Sequence, residues 1–365
     1  MTDRARTALA DAKRLVVKIG SRSLMQGEAG RFALIADQLV EQQDRGRSIV
    51  LVSSGAVAFG RMRLGLNERP KAVGRLQACA AAGQSLLMRA YEDAFEARGR
   101  HVAQLLLSHA DLSDRDRYLN ARSAIDALLS LGALPIINEN DGVAVDEIRF
   151  GDNDQLAAMV ATLVGAELLV MLSDVEGLLD AKGERVSLVS DVAEAARLVR
   201  APTDDVGLGG MGSKIEAARR ATRGGVPVVI GDAADAALLR RIFDGEDVGT
   251  LFLPAGTPMA SRKHWIAFTL KPRGEILVDV GASKALREQG RSLLPAGVVG
   301  VRGDFEPGEA VRIVGIDGEE LARGLARYGT LDVARLAGAK TSEIEPRLGR
   351  YGGDEIVHRD DLVRS

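Results

Sequence analysis

The sequence predicts an α/β protein: a mainly parallel open sheet sandwiched by helices, followed by a small, mostly β module at the C-terminal end. Two observations lead there. From Arg14 to about Ile230, short β-branched runs alternate with longer amphipathic ones, the pattern of a parallel sheet covered on both faces. After about Lys271 the texture changes to short strand-like runs broken by Gly, Pro and Asp.

The elements follow in order. RLVVKIG (14–20) is compact, apolar and closed by glycine, which reads as a buried strand. RFALIADQLVEQQDRG sets Phe32, Ile35, Ala36 and Leu39 at helical spacing and ends at Gly46, where a C-cap is expected. SIVLVSSG (48–55) and HVAQLLLS (101–108) repeat the strand pattern. RDRYLNARSAIDALLSLG then places Tyr118, Ala121, Ile125 and Leu128 on one helical face and closes at Gly132. LPIIN (134–138), ELLVMLSD (167–174) and VPVVIG (226–231) complete the buried strands. GEILVDVG, GVVGVRG, EAVRIVG and ELARGLARYG form the C-terminal module, with no long helix between the last three. The expected division is 1–270 and 275–365, joined near TLKPRGE.

The totals bound the function. At 365 residues and 46% hydrophobic content the chain has material for two domains. Lys and Arg number 48 against 51 Asp and Glu, so no global charge favours a polyanion partner. The single cysteine, Cys79, sits in the small-residue run ACAAAG; it reads as a core thiol and fits a reducing compartment. The N-terminal stretch MTDRARTALADAKR has no apolar signal region, and no run reaches the roughly 18 apolar residues of a membrane span. A cytoplasmic, non-membrane protein is expected. His101, His109, His264 and His358 show no metal-ligand spacing, so no protein metal site is expected, and G-x-S-x-G is absent.

Ligands of open parallel sheets bind beyond the carboxyl ends of the strands. The residues delivered there are Lys18, Gly20 and Ser21; Ser53, Ser54 and Gly55; Asn138, Glu139, Asn140 and Asp141; and Ser173 and Asp174. Lys18 interrupts a buried strand, a desolvation cost unless an anion meets it. SSGAVAFG leaves backbone N–H groups free at a helix start, where an anion can sit. INENDGVAVDEIRFGDNDQLAAMV gathers Asp141, Asp146, Glu147, Asp152 and Asp154 before and into a helix that Asp152 or Asn153 can cap. So many carboxylates repel unless cations intervene, and two lysines from distant positions would meet that need.

GLGGMGSK (207–214) approaches a P-loop, but Ser213 precedes Lys214 and no strand leads into it. A Walker A reading therefore fails. What survives is an anion-binding loop: glycines at 207, 209, 210 and 212 expose backbone N–H groups, and Lys214 stands at a helix start.

Together, VVKIGS, VSSGAVAFG, LLLSHADLSDRDRYLNAR, INENDGVAV, FGDND, LLVMLSDVEGL and GLGGMGSK resemble the amino acid kinase family, and the segment from about Glu275 is similar to a PUA domain. More closely, they resemble members that open proline biosynthesis. The resemblance implies an amino acid kinase fold and ATP-dependent phosphorylation of the L-glutamate side-chain carboxylate to L-glutamyl 5-phosphate, assisted by Mg²⁺. It assigns Lys18 and Lys214 to the phosphates, with Asp154 holding both lysines. Ser54, Asn138, Asp141 and Asn153 match glutamate-binding positions. Ser173 and Asp174 match a nucleotide-binding pair. Gly207, Leu208, Gly209, Gly210, Met211, Gly212, Ser213 and Lys214 would close over the phosphates. Such members are commonly homo-oligomers, as dimers or tetramers, and are commonly inhibited by proline. The chain departs from the usual pattern at Arg22, at Leu208 and after SDVEGLLDAKGE, where a tyrosine and D-P-R are missing.

Two other readings stay open. Another amino acid kinase would act on N-acetylglutamate, aspartate or a nucleoside monophosphate; against it, INENDGVAV offers acceptors for a free amino group. RNA binding is the alternative of a different class, because PUA domains in other proteins contact RNA. Against it stand the near-neutral charge, 4% aromatic content and the lack of a basic run in 275–365.

Overall fold

Strands whose two faces are both apolar can satisfy themselves only inside a sheet with helices on each side. Runs of this kind make up most of the first sheet in the computed structural model, which describes residues 2–25, 30–143, 153–198, 210–254, 266, 270 and 272–364. The chain divides into two units, Met1–Pro258 and Met259–Ser365.

The first unit holds β1 (Arg14–Ile19), β2 (Ser48–Ser53), β3 (His101–Leu107), β4 (Ala133–Glu139), β5 (Leu168–Ser173), β6 (Leu188–Val189), β7 (Val228–Asp232) and β8 (Thr250–Phe252). Their order across the sheet is β3-β4-β2-β1-β5-β7-β8-β6. Every pairing is parallel except β7 with β8. Each strand expected from an apolar run is present, but β3, expected to be buried, lies at the sheet edge with only Leu107 buried, because it pairs on one side alone; β6 and β8, of two and three residues, are additions.

The Arg31–Asp44 helix buries Ile35, Ala36 and Leu39, and Gly46 beyond it takes φ +80°, the left-handed turn expected there. The Arg115–Ser130 helix buries Tyr118, Ala121 and Ile125 and is followed by Gly132 at φ +76°. The Val73–Glu96 helix turns Leu76, Cys79, Ala80, Gly83, Leu87 and Tyr91 inward at helical spacing. It packs on the Ala56–Arg63 helix, and at their crossing Gly60 and Gly83 let the two backbones touch. The Asn153–Leu163 helix is apolar almost all round and lies against β1 and the Met211–Arg223 helix. Among the described residues no helix is long and apolar enough to cross a membrane.

The second unit is a five-stranded sheet ordered β10-β9-β11-β12-β13, from β9 (Gly274–Val278), β10 (Val298–Gly303), β11 (Ala310–Gly315), β12 (Glu320–Leu325) and β13 (Leu362–Arg364). Only β9 and β11 run parallel. Its core gathers Ile276, Phe305, Ile313, Tyr328 and Leu336. The Val280–Gln289 helix, which the strand pattern had not suggested, starts where the Asp279 side chain accepts from the Ala282 N–H and ends at Gly290 in the left-handed region.

Candidate active site

Because β4, β2, β1 and β5 are adjacent and parallel, their carboxyl ends open on one edge. Lys18 lies level with Val52 of β2 and Met171 of β5, so its side chain leaves the sheet close to where Ser53, Ser54, Ser173 and Asp174 emerge.

Lys18 meets its anion inside the protein. Its ammonium pairs with Asp154 Oδ1, while Lys214 Nζ lies 3.5 Å from Asp154 Oδ2. The three side chains are 6%, 2% and 9% exposed, so all three charges are held away from bulk water. Burial alone would raise the Asp154 carboxyl, but attraction first to Lys18 and then to Lys214 outweighs it and holds the group below the usual carboxylate range. Burial pulls the Lys214 ammonium down, Asp154 opposes that, and Lys18 adds to it. One carboxylate thus serves two cations, and the excess positive charge favours an added anion.

Lys214 reaches Asp154 because the Met211–Arg223 helix begins earlier than the sequence suggested, with Gly210 as N-cap. Met211, Gly212 and Ser213 form its first turn. The Ser213 hydroxyl also hydrogen-bonds Asp154. The order Ser then Lys, the reverse of a P-loop, therefore aims both residues at one carboxylate. Among the described residues, a Cβ on Gly210 or Gly212 would meet nothing within 4 Å, and the N–H groups of a helix start favour an anion. Gly207, Leu208 and Gly209 lie outside the described residues, as do Asp146, Glu147 and Asp152.

Beside the lysines lies a cluster of amides. Asn153 Nδ2 donates to the Ser53 carbonyl at 3.0 Å, to Ser54 Oγ at 2.9 Å and to Asn138 Oδ1 at 3.0 Å. Asn138 Oδ1 also accepts from the Glu139 N–H at 2.9 Å, and Asn138 Nδ2 donates to Gln84 Oε1 at 2.8 Å. The structure thus brings Ser54, Asn138 and Asn153 together. It adds Gln84 from the Val73–Glu96 helix, and Ser53, whose hydroxyl lies 2.8 Å from the buried Tyr91 phenol. A glutamine in mid-helix carries no sequence signal; only the crossing at Gly83 turns it inward.

Asp141 stands half-buried in the turn after β4. Burial pushes its carboxyl up to about 6, against the opposing charge of Arg69. If it receives a substrate ammonium, the ionised form is the one that binds. Substrate affinity is then full above that value and lost as pH falls through it. From pH 7 to pH 5 the KM for such a substrate is expected to rise about tenfold, with the ATP KM steady. A flat profile over this interval, measured by initial rates, would contradict the assignment of Asp141.

At the end of β5, Ser173 Oγ donates to Asp174 Oδ1 at 3.2 Å, and Arg22 Nη1 donates to Asp174 Oδ2 at 3.1 Å. Burial would raise Asp174, but the bond from its own backbone N–H and the charge of Arg22 bring it below its ordinary value. Arg22, noted only as a departure from a pattern, therefore joins the site as a third cation.

Buried paired cations, a helix start and a cluster of polar acceptors at one sheet edge suit the joining of two anions. Comparison with known proteins agrees. Residues 13–232 match the amino acid kinase family and residues 274–348 match the PUA domain. The chain is 48% identical over 366 residues to the glutamate 5-kinase of Geobacter sulfurreducens, covering 97% of this chain and 98% of that one. It is 48% identical over 371 residues to the glutamate 5-kinase of Myxococcus xanthus, covering 98% of each. With the glutamate 5-kinase of Moorella thermoacetica it shares 46% over 375 residues, covering 100% and 99%. The site and the likeness lead to the same conclusion: this chain is an enzyme of the amino acid kinase family, carrying a PUA domain after its kinase domain.

Proposed function

We propose that this chain transfers the γ-phosphoryl group of ATP to the side-chain carboxylate of L-glutamate, giving L-glutamyl 5-phosphate, the first step of proline biosynthesis. The observation that supports it most is the pair of buried lysines sharing Asp154 beside the Ser54–Asn138–Asn153 cluster.

A glutamate side chain has a pKa of about 4.3 and is already ionised at neutral pH, so its attack on phosphorus needs no general base. The difficulty is bringing two anions into line and holding the charge that develops on the phosphoryl oxygens. Lys18 and Lys214 supply fixed cations for both tasks, and Asp154, paired with each, offsets their repulsion and holds both in place. The backbone N–H groups opening the Met211–Arg223 helix would cradle the phosphates, with the 207–214 segment over them and Ser173 and Asp174 on the nucleotide. Ser54, Asn138, Asp141 and Asn153 would bind the amino acid end of glutamate, Asp141 taking the ammonium.

Mg²⁺ keeps several waters and, beside substrate phosphates, asks for at most one or two protein carboxylates. The residues here suit that, because the carboxylates nearest the lysines, Asp154 and Asp174, are each engaged by cations of the chain. When bound, Mg²⁺ neutralises charge on the β- and γ-oxygens. Inhibition by proline, assembly as a homo-oligomer, dimer or tetramer, and location in the cytoplasm belong to the same proposal; their support is the likeness to glutamate 5-kinases.

The test is acyl-phosphate formation with Mg-ATP and hydroxylamine as trap, comparing glutamate with N-acetylglutamate and aspartate. Hydroxamate from glutamate is expected. Product from N-acetylglutamate or aspartate in its place would keep the family and overturn the substrate.

A further inference from the structure

Amide side chains look the same end for end, but two backbone groups remove the ambiguity here. The Glu139 N–H can only donate, so the Asn138 atom 2.9 Å away is Oδ1. The Ser53 carbonyl can only accept, so the Asn153 atom 3.0 Å away is Nδ2. The rest follows by necessity. Asn138 turns Nδ2 outward from this pair and needs an acceptor, which Gln84 Oε1 provides at 2.8 Å. Asn153 shares its two Nδ2 hydrogens among Ser53, Ser54 and Asn138, and its own Oδ1 remains a buried acceptor with no hydrogen-bond partner among the described residues.

Gln84 is held for this purpose by the backbone. Its neighbour Gly83 lies so close to Ala56 and Gly60 that the helix cannot slide or roll there. Gln84 also leaves its own Nε2 buried without a hydrogen-bond partner among the described residues, a desolvation cost that an apolar side chain of similar size would not bear.

We propose that Gln84 is a positioning residue for substrate selection. By accepting from Asn138 Nδ2 it joins the Glu139 N–H in holding Asn138 Oδ1 toward Asn153, and so reinforces the presentation of Asn153 Oδ1 as an acceptor for an α-ammonium group. Gln84 touches no reacting atom. Its effect is on the choice between an amino acid and the same acid without the ammonium. The inference rests on the glutamate reading above.

The test uses the full chain and calorimetric Kd values for L-glutamate and 2-hydroxyglutarate, which differ only in ammonium against hydroxyl. Wild type is expected to prefer glutamate. Gln84→Leu is expected to lose about tenfold of that preference, the effect of one misplaced hydrogen bond, through weaker glutamate binding, with the ATP Kd unchanged. Gln84→Glu keeps an acceptor at the same place and is expected to restore the preference. Undiminished preference in Gln84→Leu, equal weakening of both acids, or identical behaviour of the Leu and Glu variants would each overturn the inference alone. A wild type that binds neither acid would overturn the glutamate reading and this inference with it.

Discussion

Gly83→Ala is expected to destabilise the kinase domain by about 3 kcal/mol or more, the upper range for forcing extra atoms into a packed interior. An added Cβ would overlap the Ala56 carbonyl oxygen and the Gly60 nitrogen and stand 2.9 Å from Ala56 C. These are backbone atoms, which cannot rotate away as a side-chain end can. The Ala56–Arg63 and Val73–Glu96 helices must therefore separate. Melting temperature is expected to drop by roughly 6–12 °C, at about 2–4 °C per kcal/mol for a unit of this size. Gly74→Ala, on the same helix with nothing within 4 Å of its Cβ, is the control and should be neutral or slightly stabilising. Equal melting temperatures for the two variants would contradict the close crossing.

Lys214→Ala is expected to lower kcat by about 10²- to 10³-fold, the usual effect of deleting one preorganised charge donor. The fold should persist, because Asp154 keeps Lys18 and the Ser213 hydroxyl as partners. The loss should fall on kcat more than on either KM, since charge on the transferring group is greatest in the transition state. Rapid-quench measurement of phosphoryl transfer separates the chemical step from product release. An unchanged rate would remove Lys214 from the reaction.

How much of this was legible in the sequence depends on the range of each signal. The strands were visible because parallel strands bury both faces and so stay apolar throughout, as β5 does. Lys18 was visible for the same reason, as a charge inside such a run, and Lys214 because glycines announced an open backbone before it. β6 and β8 are too short to show a period. The Val280–Gln289 helix buries Leu286 but presents mostly small and polar residues, which blurs its apolar stripe. Gln84 and Tyr91 were invisible because what makes them part of the site is a contact between distant segments. Arg22 could be seen as unusual, but its partner Asp174 lies 152 positions away and is met only through the order of the strands.

The central claim is that a carboxylate oxygen of glutamate attacks phosphorus at the Lys18–Asp154–Lys214 site. Glutamate carrying ¹⁸O in its side-chain carboxylate, incubated with the enzyme, Mg-ATP and hydroxylamine, tests this directly by the mass of the phosphate released. Hydroxylamine displaces phosphate from the acyl carbon, so the bridging oxygen leaves with phosphorus. Phosphate bearing one ¹⁸O is the predicted result; unlabelled phosphate would mean that water, and not glutamate, had attacked ATP.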